Sequence, residues 1–184
     1  MLNFIRKKFL LILGFSFTFF FFIFTSPKFS WIWLIVRVYV GWEWLHAGYD
    51  KLVSPIWVGE KSGVAIAGFV KGALAKTVGE HPDVSSWYAW FLQHGVSPYS
   101  QAWSYAITYG EILVGLGLIF GALTFLAAFF GAFMNLNYLF AGTVSTNPQL
   151  LVLAILIMLA HKTAGFIGLD YYLDHAKKSW ALFR

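Results

Sequence analysis

The chain has 184 residues, of which 59% are hydrophobic and 11% charged, with a formal net charge of +5 and no cysteine. A soluble domain carries about a quarter charged residues, so this composition points to an integral membrane protein, and the basic excess reads as charge flanking apolar spans, not as a nucleic-acid surface. Without cysteine there are no disulfides, thiol redox steps, thiolate zinc sites or iron–sulfur clusters, so any redox chemistry must use an external cofactor or a bound quinone.

Arg6-Lys7-Lys8 precedes an unbroken apolar run from Phe9 to Phe24. Sixteen helical residues reach about 24 Å, short of the roughly 30 Å hydrocarbon core. Residues 1–30 therefore read as a hydrophobic anchor or a signal-like segment, although Phe24-Thr25-Ser26-Pro27 matches a small-residue cleavage site poorly.

Trp31 to Leu52 is the first predicted span. Helical spacing places Arg37, Gly41, Trp44, Gly48 and Lys51 on one face and Glu43, His46 and Asp50 on another. An arginine at the bilayer centre costs about 2.5–3.5 kcal/mol on insertion scales, so the rest of the chain is expected to supply partners. From Val53 to Gln101 the sequence does not span. Within that stretch Gly63 to Ala75, interrupted by Lys71, reads as an interfacial or re-entrant helix. Trp87, Tyr88, Trp90 and Phe91 form an aromatic cluster of the kind found at the headgroup boundary.

Ala102 to Ala122 is the second predicted span and carries Glu111. A short turn at Leu123-Thr124 leads into the third, Phe125 to Gly142, which carries Asn135 and Asn137. So short a connection makes the two helices antiparallel neighbours. The loop Thr143 to Gln149 precedes the fourth span, Leu150 to Leu169, with His161 and Lys162 in its second half; a polar tail begins at Asp170. The expected fold is all-α: an integral membrane four-helix bundle with an extra N-terminal hydrophobic segment and an interfacial helix between spans one and two. The expected divisions are residues 1–30, 31–172 and 173–184. Counting basic residues puts both ends in the cytoplasm of a multi-pass cell-membrane protein, leaving Lys51, Lys61, Lys71 and Lys76 outside. Gly117 and Gly121, with Gly115 near the same side, predict close packing of the second span.

A carboxylate at the depth of Glu111 needs a cation, and Arg37 is the expected partner. Two readings stand open: a structural ion pair that fixes helix register, or a proton-handling or anion-binding pair beside a quinone head group. Gly131, Asn135, Tyr138 and Gly142 share one face of the third span, so Asn135 is expected to face inward and bond to Glu111, Arg37 or a ligand carbonyl. Asn137 points elsewhere. His46 and His161 are the histidines inside predicted spans. Nothing in the sequence sets them at one depth, so polar satisfaction or a proton relay to a quinol is favoured over a haem clamp, and neither haem nor metal is expected. Gly115-x-Gly117 sits inside an apolar helix and is no dinucleotide loop.

Four motifs in order carry a family resemblance. Gly41-Trp42-Glu43-Trp44-Leu45-x-Ala47-Gly48-x-x-Lys51-Leu52 resembles the first-span signature of the DoxX family, and Gly110-Glu111-x-x-Val114-Gly115-Leu116-Gly117-Leu118-Ile119-x-Gly121 its second-span signature. Met134-Asn135-x-x-Tyr138-x-Phe140-Ala141-Gly142-Thr143-Val144-Ser145-x-Asn147-Pro148 resembles the third span and its loop, and Ala164-Gly165-x-x-Gly168-Leu169-Asp170 the end of the fourth. The resemblance implies a four-helix membrane protein similar to the DoxD-like large subunit of thiosulfate dehydrogenase (quinone). That enzyme oxidises thiosulfate to tetrathionate, passes electrons to membrane quinone and works with a second subunit. On this reading the partners are the lipid bilayer, quinone as electron acceptor and a second protein subunit. The candidate catalytic residues are Arg37, Glu111 and Asn135, and the candidate substrate-binding residues are Glu43, His46 and Lys51. The competing reading is a non-enzymatic membrane scaffold or partner-binding subunit whose buried charges only fix the bundle.

Overall fold

Glycines on two helices decide how the first long pair meets. The computed structural model describes residues 21–182, with side chains through residue 175. The reading of residues 1–20 as part of an anchor or signal lies outside the described residues. The helices are α1 (Ser30–Leu52), α2 (Val64–Leu74), α3 (Ser86–Phe91), α4 (Ser100–Phe120), α5 (Thr124–Phe140), α6 (Asn147–Leu159), α7 (His161–Ala164) and α8 (Leu169–Leu182). The described residues contain no strand.

α1 and α4 run antiparallel in backbone contact. A Cβ on Gly41 would lie 2.9 Å from the Gly115 carbonyl oxygen, and one on Gly115 would lie 2.6 Å from the Leu45 amide nitrogen. Gly48 repeats the pattern two turns on, where a Cβ would meet the Ile112 nitrogen at 2.9 Å. The tight interface thus uses Gly41, Gly48 and Gly115, whereas the expected Gly117–Gly121 pair plays a different part, since Gly121 ends α4 with φ +64. Gly115→Ala should lower stability although alanine is the better helix former by about 1 kcal/mol. The atoms met are backbone and cannot step aside, so overpacking of about 1–3 kcal/mol or more decides the sign. Thermal unfolding in detergent reads the result, and an unchanged midpoint would contradict this interface.

Two cores follow from this arrangement. The bundle core packs Trp33, Val40 and Trp44 of α1 against Val114 and Leu118 of α4, with Ala128 of α5 and Ile157 of α6 among the other members. The second core lies under α2 and α3, where Ile66, Val70, Val84, Tyr88, Leu92 and Val96 are buried together. α2 stands within one residue, at each end, of the helix expected over Gly63 to Ala75. The aromatic cluster is organised differently from the expectation. α3 passes through a widened π-type turn at Leu92–Val96 and a 3-10 turn at Ser97–Tyr99 into α4, making one helical run of 35 residues, Ser86–Phe120. By length and composition this run is, among the described residues, the one helix able to cross a membrane; Val64–Leu74, Thr124–Phe140 and Asn147–Leu159 are apolar but shorter. α5 turns Phe129, Phe130, Phe133 and Phe140 outward, an exposed apolar face of the kind that lipid covers.

The expected fourth span is broken. α6 stops at Leu159, α7 adds one turn, and the chain unwinds before α8. Unwinding frees the Ile167 carbonyl, which accepts a 2.7 Å hydrogen bond from Arg37 Nη2. A continuous helix would have tied that carbonyl into its own ladder. Beyond it the expected polar tail is helix α8. Residues 21–25 are also helical, and the segment packs on the bundle: Trp33 Nε1 donates to the Ile23 carbonyl at 2.8 Å and Thr163 Oγ1 to that of Phe24 at 2.7 Å.

Candidate functional site

Lys51 ends α1, where its ammonium donates to the Ala47 carbonyl at 3.3 Å. A cation is favourable at a helix C-terminus because the last carbonyls there lack amide partners. From that position Lys51 Nζ reaches Glu111 Oε2 at 2.8 Å. The approach depends on Gly48, since a Cβ there would stand 3.1 Å from the Glu111 Cβ. The other oxygen, Glu111 Oε1, accepts a 2.7 Å hydrogen bond from the Tyr138 hydroxyl on α5. Glu111 is 2% exposed and Lys51 19%. Lys51 Nζ also sits 5.1 Å from the centre of the Trp57 ring. The result is a polar chain running from the half-buried ammonium at the end of α1, through an almost fully buried carboxylate, to a phenol.

Tyr138 belongs to a second feature. It lines a cavity of about 90 Å³ in the second core, walled by aromatic and aliphatic side chains of α2, α3, α4 and α5. Phe69 meets the Tyr138 ring edge-on at 6.1 Å. On the same cavity wall the Tyr88 hydroxyl donates to the backbone carbonyl of Asn137 at 2.9 Å or to its Oδ1 at 3.1 Å. Asn137, given the weaker claim from sequence, is thus a cavity residue. The cavity lining is almost wholly apolar; the Tyr88 and Tyr138 hydroxyls and the Asn137 amide on its wall are each already hydrogen-bonded, Asn137 Nδ2 donating to the Phe133 carbonyl at 2.8 Å.

The expected pairing of Arg37 with Glu111 does not form. Arg37 and Lys51 are fourteen residues apart on α1, about 21 Å along the helix axis, and Glu111 lies at the Lys51 level. Arg37 is 1% exposed and sits under the α4–α5 turn. A methyl group on Gly121 would overlap its guanidinium, and one on Gly168 would lie 2.6 Å from Nη1. Asp170 completes this end: its carboxylate accepts from the backbone amides of Leu123 at 2.6 Å and Thr124 at 2.8 Å. A carboxylate there satisfies orphan donors at the α5 N-terminus and complements its dipole. Asp170→Ala should therefore cost about 0.5–2 kcal/mol, read as a lower thermal midpoint, with the Lys51–Glu111 end unaffected. An unchanged midpoint would contradict the capping role.

Asn135 faces inward as expected, with 0% exposure, yet neither amide atom finds a hydrogen-bond partner, and no bond joins it to Glu111 or Arg37. It lies one turn from Gly131, whose Cβ would stand 3.1 Å from Trp44 Nε1, and the Trp44 nitrogen is also buried without a partner. Glu43 and His46 are not brought to the Lys51 pair. His46 is exposed on the outer face of α1, 3.7 Å from Asp50 and stacked on Trp42 at 6.2 Å. His161 is exposed on α7 beside Phe125. The member that sequence reasoning left out of the site is Tyr138. A signal was present, because Tyr138 follows Asn135 by three residues on the same helical face.

With this geometry in place, comparison with known proteins adds the family. The DoxX family model matches residues 32–145, more than half of the chain. That range contains Lys51, Glu111, Asn135, Tyr138 and the whole of the cavity wall. It ends before the Ala164–Asp170 motif. No curated protein and no solved structure matches the chain. DoxX is a membrane family, in keeping with the apolar composition and the outward phenylalanines of α5. The chain belongs to the DoxX family.

Proposed function

We propose that this protein is the multi-pass membrane subunit of a quinone-linked oxidoreductase, with the quinone ring in the aromatic cavity and the Lys51–Glu111–Tyr138 chain as its proton supply. The single observation that carries this reading is that Tyr138 is both the end of the polar chain and part of the cavity wall. Reduction of a quinone to a quinol consumes two electrons and two protons. Tyr138 donates its hydroxyl proton to the oxygen at the cavity edge. Lys51, more exposed than Glu111, passes a proton to the Glu111 carboxylate, which hands it to the tyrosinate, and bulk water reprotonates Lys51. Asn137 and Tyr88, bonded to each other, flank the ring on the cavity wall. Asn135 lies on the same helical face as Tyr138 with no role in this chain, and Arg37 holds the far end of the bundle without taking part.

Thiosulfate, joined in pairs to tetrathionate, releases the two electrons required. A dianion needs free cations, and the charge of Lys51 is already opposed by Glu111, so we assign thiosulfate oxidation to a site completed by a second subunit. The test is proteoliposomes containing quinone, supplied with thiosulfate, with quinone absorbance followed in the presence and absence of the candidate partner. Thiosulfate-dependent loss of quinone absorbance is expected when both subunits are present. No reduction in either arm would remove the thiosulfate reading and leave the scaffold alternative.

A further inference from the structure

A long apolar groove lies against the cavity, between α4 and α5. Its volume is about 680 Å³, within the range of sites that hold ligands of drug size. Trp103, Ile107, Phe133 and Met134 line both spaces. From there the groove follows α4 from Trp103 to Phe120, about 26 Å of helix against a hydrocarbon core of roughly 30 Å. The remaining wall includes Leu113, Leu116, Leu126 and Phe130, and no charged side chain lines it. Two glycines keep it open. Gly110 faces Met134 Sδ, 3.6 Å from where a Cβ would stand, and Gly117 faces the Ala127 Cβ at 3.0 Å.

We infer that this groove seats the isoprenoid chain of the quinone whose ring lies in the cavity, so that the substrate enters sideways from lipid between α4 and α5. The inference rests on the quinone reading above and adds the substrate class: quinones with long apolar tails. The continuity of the two spaces selects this occupant. A polar ring with an apolar tail fills both, whereas a helix of a second copy would fill the groove and leave the cavity untouched. Met134 stands where the spaces meet. Its unbranched, flexible side chain is suited to swing aside as the ring passes. Gly110 and Ala106, both on the groove wall near this junction, provide places to narrow it, and neither Tyr138 nor Glu111 lines the groove.

The test uses the purified full chain in detergent, with quenching of tryptophan fluorescence by a tailless dimethoxy-methyl-benzoquinone and by its decyl derivative. The wild type should bind the decyl compound at least about tenfold more tightly, since each buried methylene adds to affinity. Gly110→Leu and Ala106→Phe should each abolish that preference while leaving tailless binding within about twofold, which also reports that the variants are folded. If one variant fails to fold, the other decides. The same tail preference in the folded variants as in the wild type would overturn the groove assignment and leave the quinone reading standing. Binding of neither compound by the wild type would overturn the quinone reading and this inference with it. Loss of a wild-type dimer in the variants, with tail preference unchanged, would give the groove to a second copy and likewise overturn the assignment.

Discussion

Replacing Lys51 with methionine should destabilise the folded protein by about 3–5 kcal/mol, the usual cost of removing one partner from a buried ion pair. Methionine keeps most of the side-chain volume, so the loss is electrostatic and not a cavity effect. Glu111 would be left at 2% exposure with the Tyr138 hydroxyl as its one remaining polar partner. Arg37 cannot take over, because it is held at the other end of α1 by the Ile167 carbonyl. The double variant Lys51→Met, Glu111→Leu should recover much of the loss, since removing both charges of a buried pair is often close to neutral. A double-mutant cycle on thermal or denaturant unfolding in detergent measures the coupling. If Lys51→Met alone stayed within about 1 kcal/mol of wild type, below the cost of a buried unpaired charge, the pair would be worth no more than a surface contact.

The second large effect concerns turnover. Tyr138→Phe removes one hydroxyl, leaving the Lys51–Glu111 contact and the ring packing against Phe69 in place. Stability should fall by about 1.5–3 kcal/mol, the usual worth of a hydrogen bond to a charged group. Quinone reduction should fall by about 100-fold or more, because a positioned proton donor contributes that much. Glu111→Gln should give a similar loss of rate, since an amide can still accept from Tyr138 yet cannot pass a proton on. Binding of the tailless quinone should be retained in both variants, which separates proton delivery from ring binding. A Tyr138→Phe rate within about twofold of wild type would mean that protons reach the quinone by another route, since a positioned donor is worth far more than that.

Much of α1 was legible because helical periodicity is a local property of the backbone. The face Arg37, Gly41, Trp44, Gly48 is buried as the spacing predicted, with Lys51 half-buried at its end. The outward position of His46 and Asp50 follows from the same arithmetic. The pairing between helices differs from the expected one. Span boundaries alone place Glu111 near the middle of a helix starting at Ala102. The helical run begins at Ser86 instead. The register of α1 against α4 is set by which glycines let backbones touch, and that is a property of two surfaces together. Sequence alone offered Gly117 and Gly121 as readily as Gly115.

The same division holds at the site. By itself the sequence determined an all-helical, cysteine-free membrane chain of the DoxX family, the inward face of α5 that bears Asn135, and the need of Glu111 for a cation. These are matters of composition, local period and the cost of a bare charge in an apolar medium. Only the tertiary structure decided that Lys51 is that cation and that Arg37 staples the opposite end. It also decided that Tyr138 joins the carboxylate to a cavity roofed by α2 and α3. Each of those depends on contacts between residues far apart in the chain, fixed by the closest approach of packed helices and by where the chain unwinds to release a carbonyl.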